Sequence, residues 1–486
     1  MARSFLALSL ALGAAASVAA FDLGFSATGV ASLDTPNAFW PDIELSVEHE
    51  TSGFGFVWDM SAQGDGTYGA ILGDYYGGLS VLIDRGGLTY DNGPFSLAVG
   101  KLALEDEVDS PYSLFLSGRK NAALTGSLRF EDERFFFSDR WIALNYDSVN
   151  DADPAAPTRT SPWPDRSAVL KTYGVKLGAL RLGLQDLAIF TDKFYGERMR
   201  GPLFEPEYFL NPAPSFFIQY AATNMDSPWK RDGGLNDNSI IGLFADWRGD
   251  GLAFDVQLLV DDINMNRILK PDSFQNPDKI AWALGCAFET DAGAFRIDHA
   301  GATKHTFAPS GYGSIDNLEY GYTFYPDTVF SLDGESSPIR PEDNYVGYLH
   351  GENNLAFRGS WARTFGALAV DAAAEFTLSG SKSPANPWHA YTTWSEGGEG
   401  TKFLDDAVLE KKFLVTGRAE WKLGGLALFA EGSAGYVWNK LALTEVPAAV
   451  VVASDPRGNG IPLFVPSSES GPAGSLAVGA SYTLRY

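Results

Sequence analysis

The chain has 486 residues, with 61 acidic against 36 basic side chains and a formal charge of −25. That excess of acid excludes nucleic acid as a partner, because phosphate binding needs clustered Lys and Arg. A single cysteine, Cys286, excludes an intrachain disulfide framework, so the protein must be held by backbone pairing and packing.

The first predicted element is a leader. Residues 1–20 place Arg3 before an apolar run from Phe5 to Ala16 and finish on Ser17, Val18, Ala19 and Ala20. This is the layout of a cleaved secretory signal peptide, and it predicts one barrel unit over 21–486. The apolar run falls short of the roughly 20 residues a spanning helix needs. No later stretch reaches that length, which excludes a helical membrane protein. Apolar residues instead come in short alternating groups separated by Gly, Asp, Asn and Pro.

In chain order, tight-turn chemistry appears at Asp91-Asn92-Gly93, Gly249-Asp250-Gly251, Asp291-Ala292-Gly293 and Gly424-Gly425. Between such turns lie long irregular stretches rich in Pro, Gly, Asp and Ser, at 150–167, 197–214, 265–278, 331–344, 381–401 and 447–472. The strands between them alternate strictly. Leu252, Phe254, Val256, Leu258 and Val260 share one face, as do Ile280, Trp282, Leu284, Cys286 and Phe288, then Phe413, Val415, Ala419, Trp421 and Leu423. Charges fall on the opposite face. The final segment is the clearest, with Leu476, Val478, Ala480, Tyr482, Leu484 and Tyr486 alternating with Ala477, Gly479, Ser481, Thr483 and Arg485.

One apolar and one polar face, with short turns alternating with long loops, predicts an all-β fold. It is a closed antiparallel transmembrane β-barrel of roughly 16 to 20 strands with long extracellular loops. Leu476, Val478, Tyr482 and Leu484 are expected to face lipid, and Thr483 and Arg485 the lumen. The terminal aromatic resembles the signal read by the assembly machinery of bacterial outer-membrane barrels. Outer-membrane lipid and that machinery are therefore the expected partners, and the outer membrane the expected location.

Catalytic signals are weak, and the expectation is a non-enzyme without cofactor or metal. Among the five histidines there is no H-E-x-x-H pair, and no G-x-S-x-G elbow or P-loop occurs. His299 and His305 flank a turn but lack a nearby third ligand. Asp261-Asp262 and Asp405-Asp406 are acidic doublets with no surroundings that demand catalysis. Three segments, 109–117, 135–145 and 256–263, mix aromatic, Arg and carboxylate chemistry and are expected to break the barrel pattern. From them come the candidate glycan contacts: Tyr112, Arg140, Trp141, Asn145, Asp261 and Asp262. A cation, a stacking ring and an amide side by side are how sugar hydroxyls and acidic sugars are held. Against this stands a girdle role for Trp141 and a lumenal ion pair for Arg140.

The same segments carry a family resemblance. Gly100-Lys101, an acidic loop and Ser110-Pro111-Tyr112-Ser113-Leu114-Phe115-Leu116-Ser117 resemble a region of the capsule assembly protein Wzi family. A strand ending Leu259-Val260-Asp261-Asp262-Ile263, followed by Pro277-Asp278-Lys279, is similar to a second stretch. A strand at 320–324 and the segment 347–354 look like a third. The resemblance implies a lumen-plugged outer-membrane barrel of about 18 strands that attaches or organises capsular polysaccharide at the cell surface. The family's amphipathic periplasmic helices have no counterpart here. The rival expectation is a general or substrate-selective porin with an open lumen.

Overall fold

The computed structural model describes residues 20–32, 38–63, 80–146, 165–191, 202–224, 237–263, 265–269, 277–307, 321–326, 329–332, 335–382, 401–443 and 464–485. The expected leader, Ala20 apart, lies outside them. The strands are β1 (Ala20–Ser32), β2 (Ala38–Thr51), β3 (Phe54–Gln63), β4 (Ser80–Asn92), β5 (Phe95–Ala103), β6 (Ala122–Glu131) and β7 (Phe135–Asn145). Then come β8 (Arg166–Leu177), β9 (Leu180–Thr191), β10 (Asn238–Gly249), β11 (Leu252–Asp262), β12 (Lys279–Thr290) and β13 (Gly293–Ala302). After a short ribbon, β14 (Val329–Leu332) and β15 (Glu335–Pro338), follow β16 (Asn354–Phe365), β17 (Leu368–Ser379), β18 (Glu410–Leu423) and β19 (Leu426–Trp438). A second ribbon, β20 (Leu441–Leu443) and β21 (Phe464–Pro466), precedes β22 (Gly471–Arg485). Two helices matter below, α1 (Pro206–Leu210) and α2 (Ser215–Asn224).

Eighteen of these strands form one antiparallel sheet. Each pairs with its predecessor, β13 reaches β16 past the first ribbon, β19 reaches β22 past the second, and β22 closes on β1. Closure leaves no free edge, which is what a sheet in hydrocarbon requires. Tight turns of two or three residues and both sheet termini sit at one end; the long connections sit at the other. Glycines 93, 178, 251, 366 and 424 take positive φ in the turns, where a side chain would strain the backbone.

Alternation sorts the side chains as the sequence demands. Phe25, Leu97, Leu243, Val256, Ile297, Phe357, Val415, Leu476 and Val478 are exposed around the outer wall, and Asp59, Arg129, Arg181, Asp255, Arg296 and Arg418 share the inward parity. A ring of exposed large apolar side chains is a lipid-facing belt, so the chain is a transmembrane β-barrel. Of the expected terminal pattern, Leu476, Val478 and Tyr482 are exposed outward; the Arg485 side chain lies outside the described residues. Val478 is 51% exposed. Val478→Arg is expected to cost about 2–4 kcal/mol in a barrel refolding titration, as for a cation near the bilayer midplane.

Two sequence expectations need correction. The segments at 135–145 and 256–263 do not break the pattern, because residues 135–145 are β7 and 256–262 belong to β11. Residues 321–324 form no long strand; they belong to an inward segment with a single bridge, Thr323 to Tyr345. The buried core is inside the barrel. Residues 104–121 and, of the connection from β13 to β16, the described residues 321–324 and 345–349 turn into the lumen, where Tyr112, Leu114, Phe115, Tyr322, Tyr345 and Tyr348 pack on Ile142, Leu187, Ile240 and Leu259 of the wall.

Candidate functional site

Asp106 ties the inward loop 104–121 to the wall. Its carboxylate accepts the backbone N–H groups of Phe115 and Leu116, both at 3.0 Å, Gln185 Nε2 at 2.8 Å and Gln257 Nε2 at 3.1 Å. Alternation turns Gln185 of β9 and Gln257 of β11 inward, and Gln257 Oε1 also accepts the Leu114 N–H at 2.7 Å. Phe115 packs on Gly242, where an added Cβ would lie 2.5 Å from the ring. Tyr112 then donates to Glu375 on β17 at 2.6 Å, beside His350 at 3.1 Å. The loop leaves β5 and reaches β17, so it crosses the lumen.

Burial raises the Asp106 carboxyl above the usual carboxylate range, against the pull of its hydrogen bonds. A folded pKa above the unfolded one means that the seated loop takes up a proton more readily than the released one. This contribution is full below the ordinary Asp pKa and is lost as pH rises through the raised value. Current fluctuations across the reconstituted barrel are therefore expected to quieten on acidification, and Asp106→Asn to flatten that pH dependence.

The second inward segment locks the first. Tyr322 Oη donates to the Phe115 carbonyl, and the Ser117 N–H donates to the Val346 carbonyl at 2.8 Å. Arg166, fully buried at the loop end of β8, donates to the Thr323 carbonyl at 3.1 Å, to the Gly321 carbonyl, and to Asn145 Oδ1 at 3.1 Å.

Below this plug runs a belt of ion pairs. Glu107 takes Arg129 at 2.7 Å and Arg181 at 2.6 Å, and Arg140 donates to the Glu105 carbonyl at 2.7 Å. Arg296 bridges Asp255 at 2.7 Å and Asp298 at 2.6 Å, and Arg358 approaches Asp298 at 3.6 Å. Phe136 and Phe244 lie over Gly174 and Gly183, and the Arg181 guanidinium sits 4.6 Å above the Phe136 ring. Glu107 and its two arginines tie the plug to the wall, whereas the Arg296 group pairs within the wall; Glu107, Asp255 and Asp298 are largely buried, and Arg140 is half-buried.

The other wall, from β17 through β22 to β4, is wet. Glu44, Thr416 and Ser475 are exposed in or near mid-strand and share the inward parity. Arg85 pairs with Asp59 and, at 3.4 Å, with Glu48. Arg418 pairs with Glu431 at 2.7 Å and Glu420 at 2.8 Å and covers the Phe429 ring at 5.0 Å. Water thus reaches the middle of the barrel along one half of its circumference. The plug fills the other half.

The candidate glycan contacts separate. Arg140 faces the lumen, but Trp141 faces outward, as neighbours in a strand must, and donates to the Leu203 carbonyl at 2.8 Å. Tyr112 is inside the plug, where burial and the Glu375 carboxylate push its hydroxyl pKa up. Asn145 holds Arg166. Asp261 sits at a bulge with its side chain buried, 3.3 Å from Lys279; Asp262 is opposite Lys279 in the ladder. An accessible cluster of Arg140, Trp141, Asn145, Tyr112 and the two aspartates is therefore not formed. His299 is on the outer wall against Trp282 at 3.1 Å, whereas His305 is half-buried in the inward segment. No group of three or more metal-ligating side chains occurs among the described residues. Asp106, Gln185, Gln257, Arg166 and Glu375 carry the lumen's architecture without a sequence motif. The available signal was their inward parity, since a Gln or Arg in a ladder must find a polar partner.

No known family description matches the chain, and no curated protein matches it by sequence. Solved structures do match over nearly its whole length. Wzi of Escherichia coli, described as an outer-membrane protein involved in group 1 capsule assembly and a carbohydrate-binding β-barrel, is 10% identical. That match covers 94% of this chain and 83% of Wzi with a TM-score of 0.49. Two Pseudomonas aeruginosa outer-membrane proteins are similar. OpdK is 8% identical, covering 96% of this chain and 99% of its own at a TM-score of 0.44. OprD is 9% identical, covering 96% and 93% at a TM-score of 0.43. These are likenesses of one barrel to another, and no residue role follows from them.

Proposed function

We propose that the protein resides in a bacterial outer membrane and passes small hydrophilic solutes along the open half of its lumen, without catalysis. The supporting observation is the exposure of Glu44, Thr416 and Ser475 in mid-barrel while the plug stays on the opposite wall. A barrel packed solid across its width would bury them. Carboxylates outnumber cations on the wet wall, where Glu44, Glu48, Asp59, Asp371, Glu420 and Glu431 face Arg85, Lys412, Arg418 and Lys422. Such a wall concentrates cations and repels anions. Purified protein in a planar bilayer is expected to conduct with cation preference, and Glu48→Gln with Glu431→Gln to lower the cation-to-anion permeability ratio. High salt should shrink the difference. No conductance at all would sink the reading.

Attachment of surface polysaccharide is a second reading, favoured by the density of the plug, which fills half the lumen with packed tyrosines and satisfied carbonyls. Its reachable cation is Arg140 at the plug's lower edge. If this reading holds, Arg140→Ala releases polysaccharide from cells while conductance stays as it was. Export through cleavage of 1–20 and recognition by the barrel assembly machinery belong to the same proposal; the first is tested by sequencing the N-terminus of membrane-extracted protein, the second by loss of the heat-resistant barrel band when that machinery is depleted.

A further inference from the structure

The outer wall carries a group of charges where lipid should be. Register places Asp139 of β7 opposite Lys171 of β8, and Lys171 opposite Asp186 of β9, all on the outward parity of Trp141 and Val169. The flanking strands are apolar at the same register, with Leu128 opposite Asp139 and Ile241 opposite Asp186. Ile241 is exposed. The three charges therefore interrupt the belt, and a bare charge there is costly. Yet all three are buried.

They are covered from outside by residues 202–224, and the wall is built to hold this cover by its backbone. Lys171 Nζ donates to the carbonyls of Asn211 and Ala213, both at 2.7 Å, and Asp186 accepts the Ser215 N–H at 2.5 Å at the start of α2. Ser167 and Trp141 both donate to the Leu203 carbonyl, at 2.7 and 2.8 Å, and Tyr173 Oη donates to the Pro212 carbonyl at 2.8 Å. Lys171 and Asp186 thus serve the cover's own unpaired backbone groups, and Asp139 faces Lys171 across the ladder.

The cover's far side is apolar. In α2, Ser215 and Ile218 are buried against the wall while Phe216, Phe217 and Tyr220 are exposed. Phe204 and Leu210 extend that face, and α2 contains no charged residue. The patch continues the apolar belt, and below it, along β6 to β11, lies an apolar groove of about 760 Å³ whose lining includes Tyr173, Leu182, Leu184 and Leu243.

We infer that residues 202–224 form a membrane-embedded ledge whose partner is the acyl layer of the leaflet on the loop side. A lipid surface needs apolar area alone, which an uncharged helix with three exposed aromatics supplies. A second copy of the chain is the competing occupant, and the exposed face of α2 carries no charge to orient it; of the ledge's two carboxylates, Glu205 is buried and Glu207 half-buried.

The experiment uses the full chain in lipid vesicles, with Cys286→Ser and a bimane label on Phe217→Cys or, separately, Tyr220→Cys. Val256→Cys on the bare wall reports insertion of the barrel, and Asp250→Cys in a tight turn reports water. Quenching at 217 and 220 by lipids brominated in the acyl chain is expected to match Val256 and to exceed Asp250 several-fold, with little quenching by iodide. Iodide quenching without bromolipid quenching would place the ledge in water and overturn the inference. Protection from both quenchers would mean a protein partner covers it, and would overturn it equally. Loss of bromolipid quenching at Val256 as well would refute the membrane barrel itself.

Discussion

Replacing residues 106–120 with a short Gly-Ser linker is expected to raise the single-channel conductance of the reconstituted barrel several-fold and leave its heat-resistant gel band in place. The reason is the division of labour between ladder and plug. Every barrel strand keeps both neighbours without the loop, so closure does not depend on it. The loop crosses the lumen from β5 to Glu375, and its packing on Ile142, Leu187, Ile240 and Leu259 keeps water from that wall. Excision also frees Gln185 and Gln257, which water can then satisfy. The remaining cost is exposure of wall apolar area at about 25 cal/mol per Å². A conductance equal to the parent's would show that the passage is set elsewhere and would remove the loop from the mechanism.

Arg166→Ala is expected to cost about 3–5 kcal/mol, the scale for removing one member of a buried charged network, and to make residues 321–326 sensitive to protease. Three buried acceptors lose a donor at once: the carbonyls of Gly321 and Thr323 and the Asn145 amide oxygen. Arg166→Lys should recover little, because one ammonium on a shorter stem cannot serve partners spread around a planar fork. The check is a denaturant titration alongside limited proteolysis. Loss of stability without new cleavage near residue 321 would mean that Arg166 supports the wall alone.

Arg166 also shows where sequence reading stops. Nothing in its neighbourhood announces that its partners, the Gly321 and Thr323 carbonyls, lie some 155 residues away in the inward segment. The acyl-facing pattern of β22, by contrast, was visible from alternation alone, as were the turns at Asp91-Asn92-Gly93 and Gly424-Gly425. Arg140 and Trp141 fall between these cases. Adjacent strand residues point to opposite faces, so alternation already forbade a shared site, once 135–145 was recognised as strand.

By itself the sequence determined the barrel: period-two alternation, turn chemistry and the lack of any long apolar run are local properties, and a membrane leaves extended segments one way to satisfy their backbone. The tertiary structure decided which connections turn inward and which clamps the outside. Those outcomes rest on long-range pairs such as Tyr112 with Glu375 and Lys171 with Asn211. A loop's destination is fixed by buried donors and acceptors on distant strands, and those partners come together only after the sheet has closed.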